Sequence, residues 1–253
     1  MFAVERQKRI LELLEKDGAV WVSKLSDELN VTEETVRRDL EKLEQREALI
    51  RTHGGAVPIT ENGQELSLEK RKNLNTDAKA HLAKEAVKHI AEGDTVFIDA
   101  STTTFYIAKE IKRLKNITVV TNSIRVINEL ISVPEIKVIA IGGMAGANQS
   151  ITGNIAENDI RKNYFANKVF FSSRGICPNG ILDSNEPECF IKQAMMKNST
   201  KKYYVCDGSK VNRIGFIKLA EFEDVDFIIT EKGAFSDKLR DAVKETEAVI
   251  IEA

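Results

Sequence analysis

Apolar positions along this chain recur in two rhythms, and the switch between them separates two differently built regions. Up to about residue 57 the spacing is helical. Ile10, Leu13 and Leu14 mark a first helix from about Arg6 to Asp17, Leu25 and Leu29 a second, and Val36, Leu40 and Leu43, at i, i+4 and i+7, a third. Asn30 tolerates the left-handed conformation that ends a helix, and the Thr32 hydroxyl can cap the next one. Glu33 and Glu34 then suit the positive end of that helix. Two helices are thereby set at an angle, and three can share one small core. After Leu49 the pattern shortens to Ile50-Arg51-Thr52-His53-Gly54-Gly55-Ala56-Val57, two alternating pieces around glycines that permit a tight turn, which predicts a β-wing.

Pro58 to Asn75 is polar and irregular around Glu61-Asn62-Gly63 and reads as a linker. Asp77 is expected to cap a helix to about Ala91, with Leu82, Ala86, Val87 and Ile90 inward. Beyond Gly93-Asp94, apolar runs at 95–98, 117–120, 136–141, 168–171, 202–206, 225–229 and 248–251 are separated mostly by helical patterns. Continuous apolar runs of this kind suit a parallel sheet covered on both faces. The expected class is α/β. An amino-terminal winged helix-turn-helix over 1–57 and a linker over 58–75 precede a larger α/β domain with a mainly parallel sheet over 76–253.

The polar side of the third helix carries Glu34, Arg38, Lys42 and Gln45, flanked by Thr32, Thr35 and Arg37. Such a face fits the major groove, where Arg37 or Arg38 can donate two hydrogen bonds to guanine and Thr35 can touch a thymine methyl. Arg51, Thr52 and His53 would lie along the phosphate backbone or the minor groove and position that helix. Charge alone does not favour this reading. Residues 1–57 hold 10 Lys/Arg against 12 Asp/Glu, so nucleic-acid contact must come from local arrangement, and an ordinary helical bundle with a solvated face is the bland alternative.

In open α/β sheets ligands sit beyond the carboxyl ends of the strands. Here those positions are small and polar. Asp99-Ala100-Ser101-Thr102-Thr103 precedes a helix and can cradle a phosphate, although simple helix capping would use the same residues. Thr121-Asn122-Ser123, Gly142-Gly143, Ser172-Ser173-Arg174-Gly175 and Asp207-Gly208-Ser209-Lys210 each follow another apolar run. Together they offer hydroxyls, close backbone approach and cations to a polar anion. Glu188 and Lys192, four apart on a helix face, add either a ligand contact or an ordinary ion pair.

With 253 residues, 42% hydrophobic, and a formal net charge of −2, the chain can bury a sizeable core and shows no bulk attraction to nucleic acid or membrane. Its amino terminus turns charged at once, and Val138 to Ala156 carries too many glycines and amides for a membrane span, so a cytoplasmic location is expected. Cys177, Cys189 and Cys206 lack CxxC spacing, and His53, His81 and His89 do not cluster with them, so neither disulfides, a metal nor a cofactor is expected.

Three blocks carry a family resemblance: Glu5 to Leu11, Val31-Thr32-Glu33-Glu34-Thr35-Val36-Arg37-Arg38-Asp39-Leu40, and Arg51-Thr52-His53-Gly54-Gly55-Ala56. They resemble the head of the DeoR family of bacterial transcription regulators. The strand-end series resembles that family's sensor domain, whose fold is related to sugar-phosphate isomerases and coenzyme A transferases. Ser101 stands where a glycine is commoner, while Thr121-Asn122-Ser123, Gly142-Gly143, Asp207-x-Ser209-Lys210 and Glu188-x-x-x-Lys192 match closely.

The resemblance implies a repressor whose large domain binds a phosphorylated sugar or related metabolite and whose head then changes its hold on an operator. A homodimer or homotetramer is expected, because paired heads on half-sites multiply weak single-head binding. Two alternatives stay open at this point. One is a sugar-phosphate isomerase or transferase using Asp99, Glu188 and Lys210 as acid and base groups; the other is a DNA-bound activator insensitive to small molecules.

Overall fold

The computed structural model describes residues 3–17, 20–45, 48–52, 54–58, 68–215 and 217–253. The chain divides into two compact units, Met1–Gln64 and Glu65–Ala253.

The first unit runs α1 (Ala3–Asp17), β1 (Val20–Trp21), α2 (Val22–Leu29), α3 (Glu33–Gln45), β2 (Leu49–Thr52) and β3 (Gly55–Pro58). Its core contains Ile10, Leu13, Leu14, Leu25, Leu29, Val36, Leu40 and Leu43, the stripes read from the sequence, closed by Val20, Leu49 and Ala56. Asn30 ends α2 with φ 51°, and Thr35 N donates to the Thr32 hydroxyl at 3.3 Å, so the turn is built as its residues dictate. The hairpin β2–β3 forms the wing, and β1, unforeseen in the sequence, pairs with β3 to give the order β1-β3-β2. That third strand explains Gly55: a Cβ there would lie 1.9 Å from the Val20 carbonyl oxygen. Beneath α3, buried Asp39 accepts from Arg6 Nε at 2.5 Å and Gln7 Nε2 at 3.0 Å, clamping α1 to the helix above it.

Residues 59–67 of the expected linker lie outside the described residues; its last part instead opens the second unit as α4 (Leu68–Asn73), with Leu68 buried. There follow α5 (Thr76–Ala86), β4 (Thr95–Ile98), α6 (Thr104–Ile111), β5 (Ile117–Thr121), α7 (Ile124–Leu130) and β6 (Ile136–Ala140). A small hairpin, β7 (Met144–Ala145) and β8 (Ile151–Thr152), leads into α8 (Asn154–Asn163) and β9 (Ala166–Phe171). Then come β10 (Gly175–Cys177), β11 (Gly180–Asp183), α9 (Glu186–Lys197), β12 (Ser199–Cys206), β13 (Ile217–Ala220), β14 (Phe227–Thr230), α10 (Asp237–Lys244) and β15 (Val249–Glu252). The helix expected to be capped by Asp77 starts at Thr76 instead, with Asn75 two residues earlier in the cap position, where it adopts φ 52° and sends its side chain to a strand end instead of capping. It ends early too, at Ala86, followed by a single 3-10 turn.

All seven apolar runs are strands of one parallel sheet, in the order β15-β14-β12-β9-β4-β5-β6. Alternation along the strands feeds two cores: Val96, Ile98, Phe170 and Val205 pack with α5, α6 and α7, while Phe97, Val169, Phe171 and Cys206 pack with α8, α9 and α10. From β4 the chain winds outward through β5 and β6, then returns to place β9 on the other side of β4. Between β4 and β9 the winding reverses, the point beyond whose strand ends open sheets of this kind characteristically form a crevice. A three-stranded antiparallel sheet, β10-β11-β13, also lies in this unit; its strands were too short to read in the sequence.

Candidate DNA-reading face and effector site

On the first unit, Thr32, Glu34, Arg37, Arg38 and Lys42 are exposed along α3 and Thr35 is half-buried, so the expected reading face is solvent-facing. Arg37 pairs with Glu33 at 3.1 Å and Arg38 with Glu34 at 3.3 Å, each one helical turn back. Exposed pairs of this kind are weak, worth about 0.3–0.5 kcal/mol, so both guanidinium groups can be redirected to a base or phosphate at small cost. Arg51 and Thr52 lie in β2, with their side chains outside the described residues, and His53 lies outside them altogether.

On the second unit the strand ends do converge. Asp99, just past β4, is buried at the switch point; its Oδ2 accepts from Ser172 N of the β9 end at 3.4 Å, and its Oδ1 from Ser101 N at 3.2 Å and from the Thr104 hydroxyl at 2.5 Å. Ser101 Oγ accepts from Thr104 N, so this loop is partly spent on opening α6, while Thr102 and Thr103 are buried within it. Lys192 reaches the same point from α9, 3.6 Å from Asp99 and 2.5 Å from Asp183. Burial works to discharge that ammonium, but Asp183, Asp99 and Glu188 overcome it and hold its pKa above the ordinary lysine value. The Asp99 carboxyl is pushed up by burial and drawn back in part by Lys192. Glu188 does not pair with Lys192 across the helix turn; its Oε1 accepts from Ser150 Oγ at 2.6 Å and Asn148 Nδ2 at 3.0 Å, tying α9 to the β7–β8 hairpin.

Other strand-end residues are engaged by the fold. The Thr121 hydroxyl donates to the Ile98 carbonyl, Ser123 caps α7 by accepting from Val126 N, and Asn122 Nδ2 donates to the Ile151 carbonyl. Gly142 and Gly143 lie exposed after β6; Gly143 has φ 151°, and a Cβ there would meet the Thr152 carbonyl oxygen at 2.8 Å. Gly175 serves packing inside β10, where a Cβ would fall 2.1 Å from the Arg213 carbonyl oxygen; Arg174 before it is half-buried. At the end of β12, Asp207 is buried and accepts from Ser209 N and from Asn75 Nδ2 at 2.9 Å, with the Ser209 hydroxyl also bonded to it. Lys210 follows, its pKa lowered by burial against the pull of Asp207.

Sequence reasoning missed Lys79, although a signal was there. It falls three and four residues before Leu82 and Ala83, on the inward stripe of α5, and it is buried. Its Nζ donates to the Arg71 and Leu74 carbonyls at 2.7 and 2.6 Å, and burial lowers its pKa to about 8, with Lys210, Arg71 and Arg125 lowering it further and Asp207 opposing. Asp183 carried no signal in the sequence, whereas Ser172 belongs to the strand-end series read there.

Three buried oxygens at the strand ends have no hydrogen-bond partner among the described residues: Asn122 Oδ1, Ser172 Oγ and Asp207 Oδ2. Buried polar groups are nearly always paired, so their gathering at one edge of the sheet marks a place built for something polar. No group of three or more metal-ligating side chains occurs among the described residues, and no described helix is long and apolar enough to cross a membrane.

A reading helix on one unit and a strand-end crevice on the other are the two working parts of a DNA-binding transcriptional regulator. The DeoR-like helix-turn-helix domain family matches residues 6–62, and the DeoR C terminal sensor domain family matches residues 74–232. The chain belongs to the DeoR family of transcriptional regulators, not to a family of enzymes. The HTH-type transcriptional regulator YulB of Bacillus subtilis is 39% identical over 92% of this chain and 90% of its own length. The lactose phosphotransferase system repressor of Lactococcus lactis subsp. lactis is 33% identical over 89% of this chain and 90% of its own. Among solved structures, ribose 5-phosphate isomerase A from Methanocaldococcus jannaschii is similar over 54% of this chain and 55% of that chain, at 14% identity and a TM-score of 0.41. A likeness that weak carries no inference about chemistry.

Proposed function

We propose that the protein is a cytoplasmic repressor of carbohydrate-metabolism genes whose hold on operator DNA is set by a phosphorylated sugar or related metabolite. The observation that carries this reading is the meeting of unpartnered buried oxygens with the cations Lys79 and Lys210 around the Asp99 and Asp207 loops. Cations favour an anion at that edge, and the carboxylates and amides beside them suit hydroxyl groups. A sugar phosphate combines both. The name of the Lactococcus relative, a lactose phosphotransferase system repressor, supports the carbohydrate assignment and the sign of control.

In this reading residues 1–57 hold the operator, 76–253 sense the effector, and 58–75 carries the preference between them. Thr32, Glu34, Thr35, Arg37, Arg38, Lys42, Arg51, Thr52 and His53 face DNA. Asp99, Ser101, Thr102, Thr103, Asn122, Glu188, Asp207, Ser209 and Lys210 line or support the effector site, joined by Lys79 and Lys192. The working form is a homodimer or homotetramer, since one small head makes few contacts. To move the population from 1:99 to 99:1 the effector must favour one state by about 5.5 kcal/mol, which several charge-assisted hydrogen bonds can supply.

The test is a thermal-shift screen of sugar phosphates on the full chain, followed by operator gel shift with any compound that binds. Stabilisation by a phosphorylated sugar together with altered operator affinity is the expected result. Thr103→Asp, which puts negative charge beside Asp99, should abolish the shift; a normal shift in that variant removes the loop from the site.

A further inference from the structure

Arg125 is a charged group that the strand-end reading leaves unused. It sits in the first turn of α7, two residues after Ser123, and its guanidinium lies over the Phe105 ring with Cζ 3.8 Å from the ring centroid. Phe105 in turn belongs to the first turn of α6, immediately after the Asp99–Thr104 loop. The stack therefore holds the plane of the guanidinium at the rim of the crevice and limits the rotamers open to it.

Three facts set this arginine apart from an ordinary surface cation. It is half-buried, its Nη1 is buried with no hydrogen-bond partner among the described residues, and no carboxylate forms a salt bridge with it there. The acidic groups near it are taken: Glu129 pairs with Lys112, and Glu69 with Lys72 at 2.8 Å. Burial lowers the Arg125 pKa, and its positive charge adds a small opposition to the charge on Lys79. A guanidinium cannot shed its proton to escape such a position, and an oxyanion shared with Lys79 would satisfy the idle N–H and offset that opposition.

We propose that Arg125 is a specificity residue for the anionic end of the effector, donating two hydrogen bonds from its fixed fork to two oxygens of one phosphate monoester while Lys79 supplies a point charge. This rests on the sensing role above and adds an orientation. The phosphate lies toward α5, α6 and α7, on the Lys79 and Arg125 side, and the hydroxyl-bearing tail points to Asp99, Asp183 and Lys192. It follows that the site prefers a phosphate monoester over the same sugar unphosphorylated.

The experiment measures affinities of the full chain for a panel of pentose and hexose phosphates, their parent sugars and inorganic phosphate, by calorimetry at constant ionic strength, in wild type, Arg125→Gln and Arg125→Lys. For the tightest phosphate, Arg125→Gln should lose about tenfold or more and Arg125→Lys about threefold or more, because a lysine keeps the charge but not the fork. Affinity for the parent sugar should not change. Equal phosphate affinity in all three proteins overturns the assignment, as does an equal loss for sugar and sugar phosphate, which would make Arg125 a packing residue. Should Arg125→Gln not fold, the Arg125→Lys comparison decides alone. If no phosphorylated compound binds wild type, the sensing role itself fails and takes this assignment with it; binding unaffected by the substitutions removes Arg125 only.

Discussion

Both units bury paired charge, Arg6 with Asp39 and Lys192 with Asp183, but the larger one also buries cations that no carboxylate pairs with among the described residues. In the head, Arg6 is sunk beneath α3 but meets Asp39 directly, and Gln7 satisfies the other carboxylate oxygen, so the buried charge is closed on itself. In the larger unit, Lys79 is buried against two backbone carbonyls, and Arg125 is half-buried with one N–H idle among the described residues. The head keeps Arg37 and Arg38 outside, in weak pairs with Glu33 and Glu34, where the proposed contact with duplex phosphates and bases would use them. The sensor holds its cations inside, where low dielectric makes each of them count for more toward one small anion.

The sharpest way to break this contrast is Asp39→Ala, which removes the buried carboxylate that both Arg6 and Gln7 bond beneath α3. Removing one member of a buried pair costs about 3–5 kcal/mol, so denaturant melts should show the head unfolding at much lower concentration and operator binding lost with it. An unchanged midpoint would mean the pair is not structural. Next in size is Arg38→Ala: its pair with Glu34 is exposed, so melting should stay put while discrimination between operator and random duplex falls by about 1–3 kcal/mol. Equal sequence preference in gel shifts would remove Arg38 from the reading face.

A pH titration probes the sensor side. Lys79 has a pKa of about 8 in the folded chain against 10.5 for the ordinary group, so the unfolded chain binds more protons between those values. Stability of the ligand-free protein should therefore rise as pH increases from about 8 towards 10.5, and below 8 this group should contribute no slope. An anion bound beside Lys79 raises its pKa again, so effector affinity should fall above pH 8, and Lys79→Met should flatten both profiles. The smallest effect belongs to Glu33→Gln, which frees Arg37 from its exposed pair. A stability change of at most about 0.5 kcal/mol and a gain in operator affinity of about twofold are expected; a large loss of stability would show that the pair anchors the helix.

Parts of this molecule were legible because their causes are local. Asn30, Thr32 and the Val36–Leu40–Leu43 stripe act within a few residues of one another, so the turn and the reading helix follow from spacing alone. The seven sheet strands were legible for a related reason: the central ones are buried on both faces and so are apolar, and the half-buried edge strands β6 and β15 keep apolar runs as well. Strand β1 was not legible, since two residues carry no period, and its existence depends on β3 lying alongside. Nor were the roles of Thr121, Ser123 and Gly175, which look like ligand contacts in sequence and serve as a strand tie, a helix cap and a close backbone contact.

The sequence by itself determined the two kinds of architecture, the face of α3 turned to solvent and the polar character of the strand ends, because helical and extended periods and capping chemistry are properties of neighbouring residues. Only the tertiary structure decided that β9 returns beside β4, and with that reversal which polar residues share a crevice. It also decided that Lys192 faces Asp183 and Asp99 more directly than Glu188, and that Arg125 stacks on Phe105. Those meetings join residues from 9 to more than 70 positions apart, and they depend on strand pairing and layer packing, which no local period encodes.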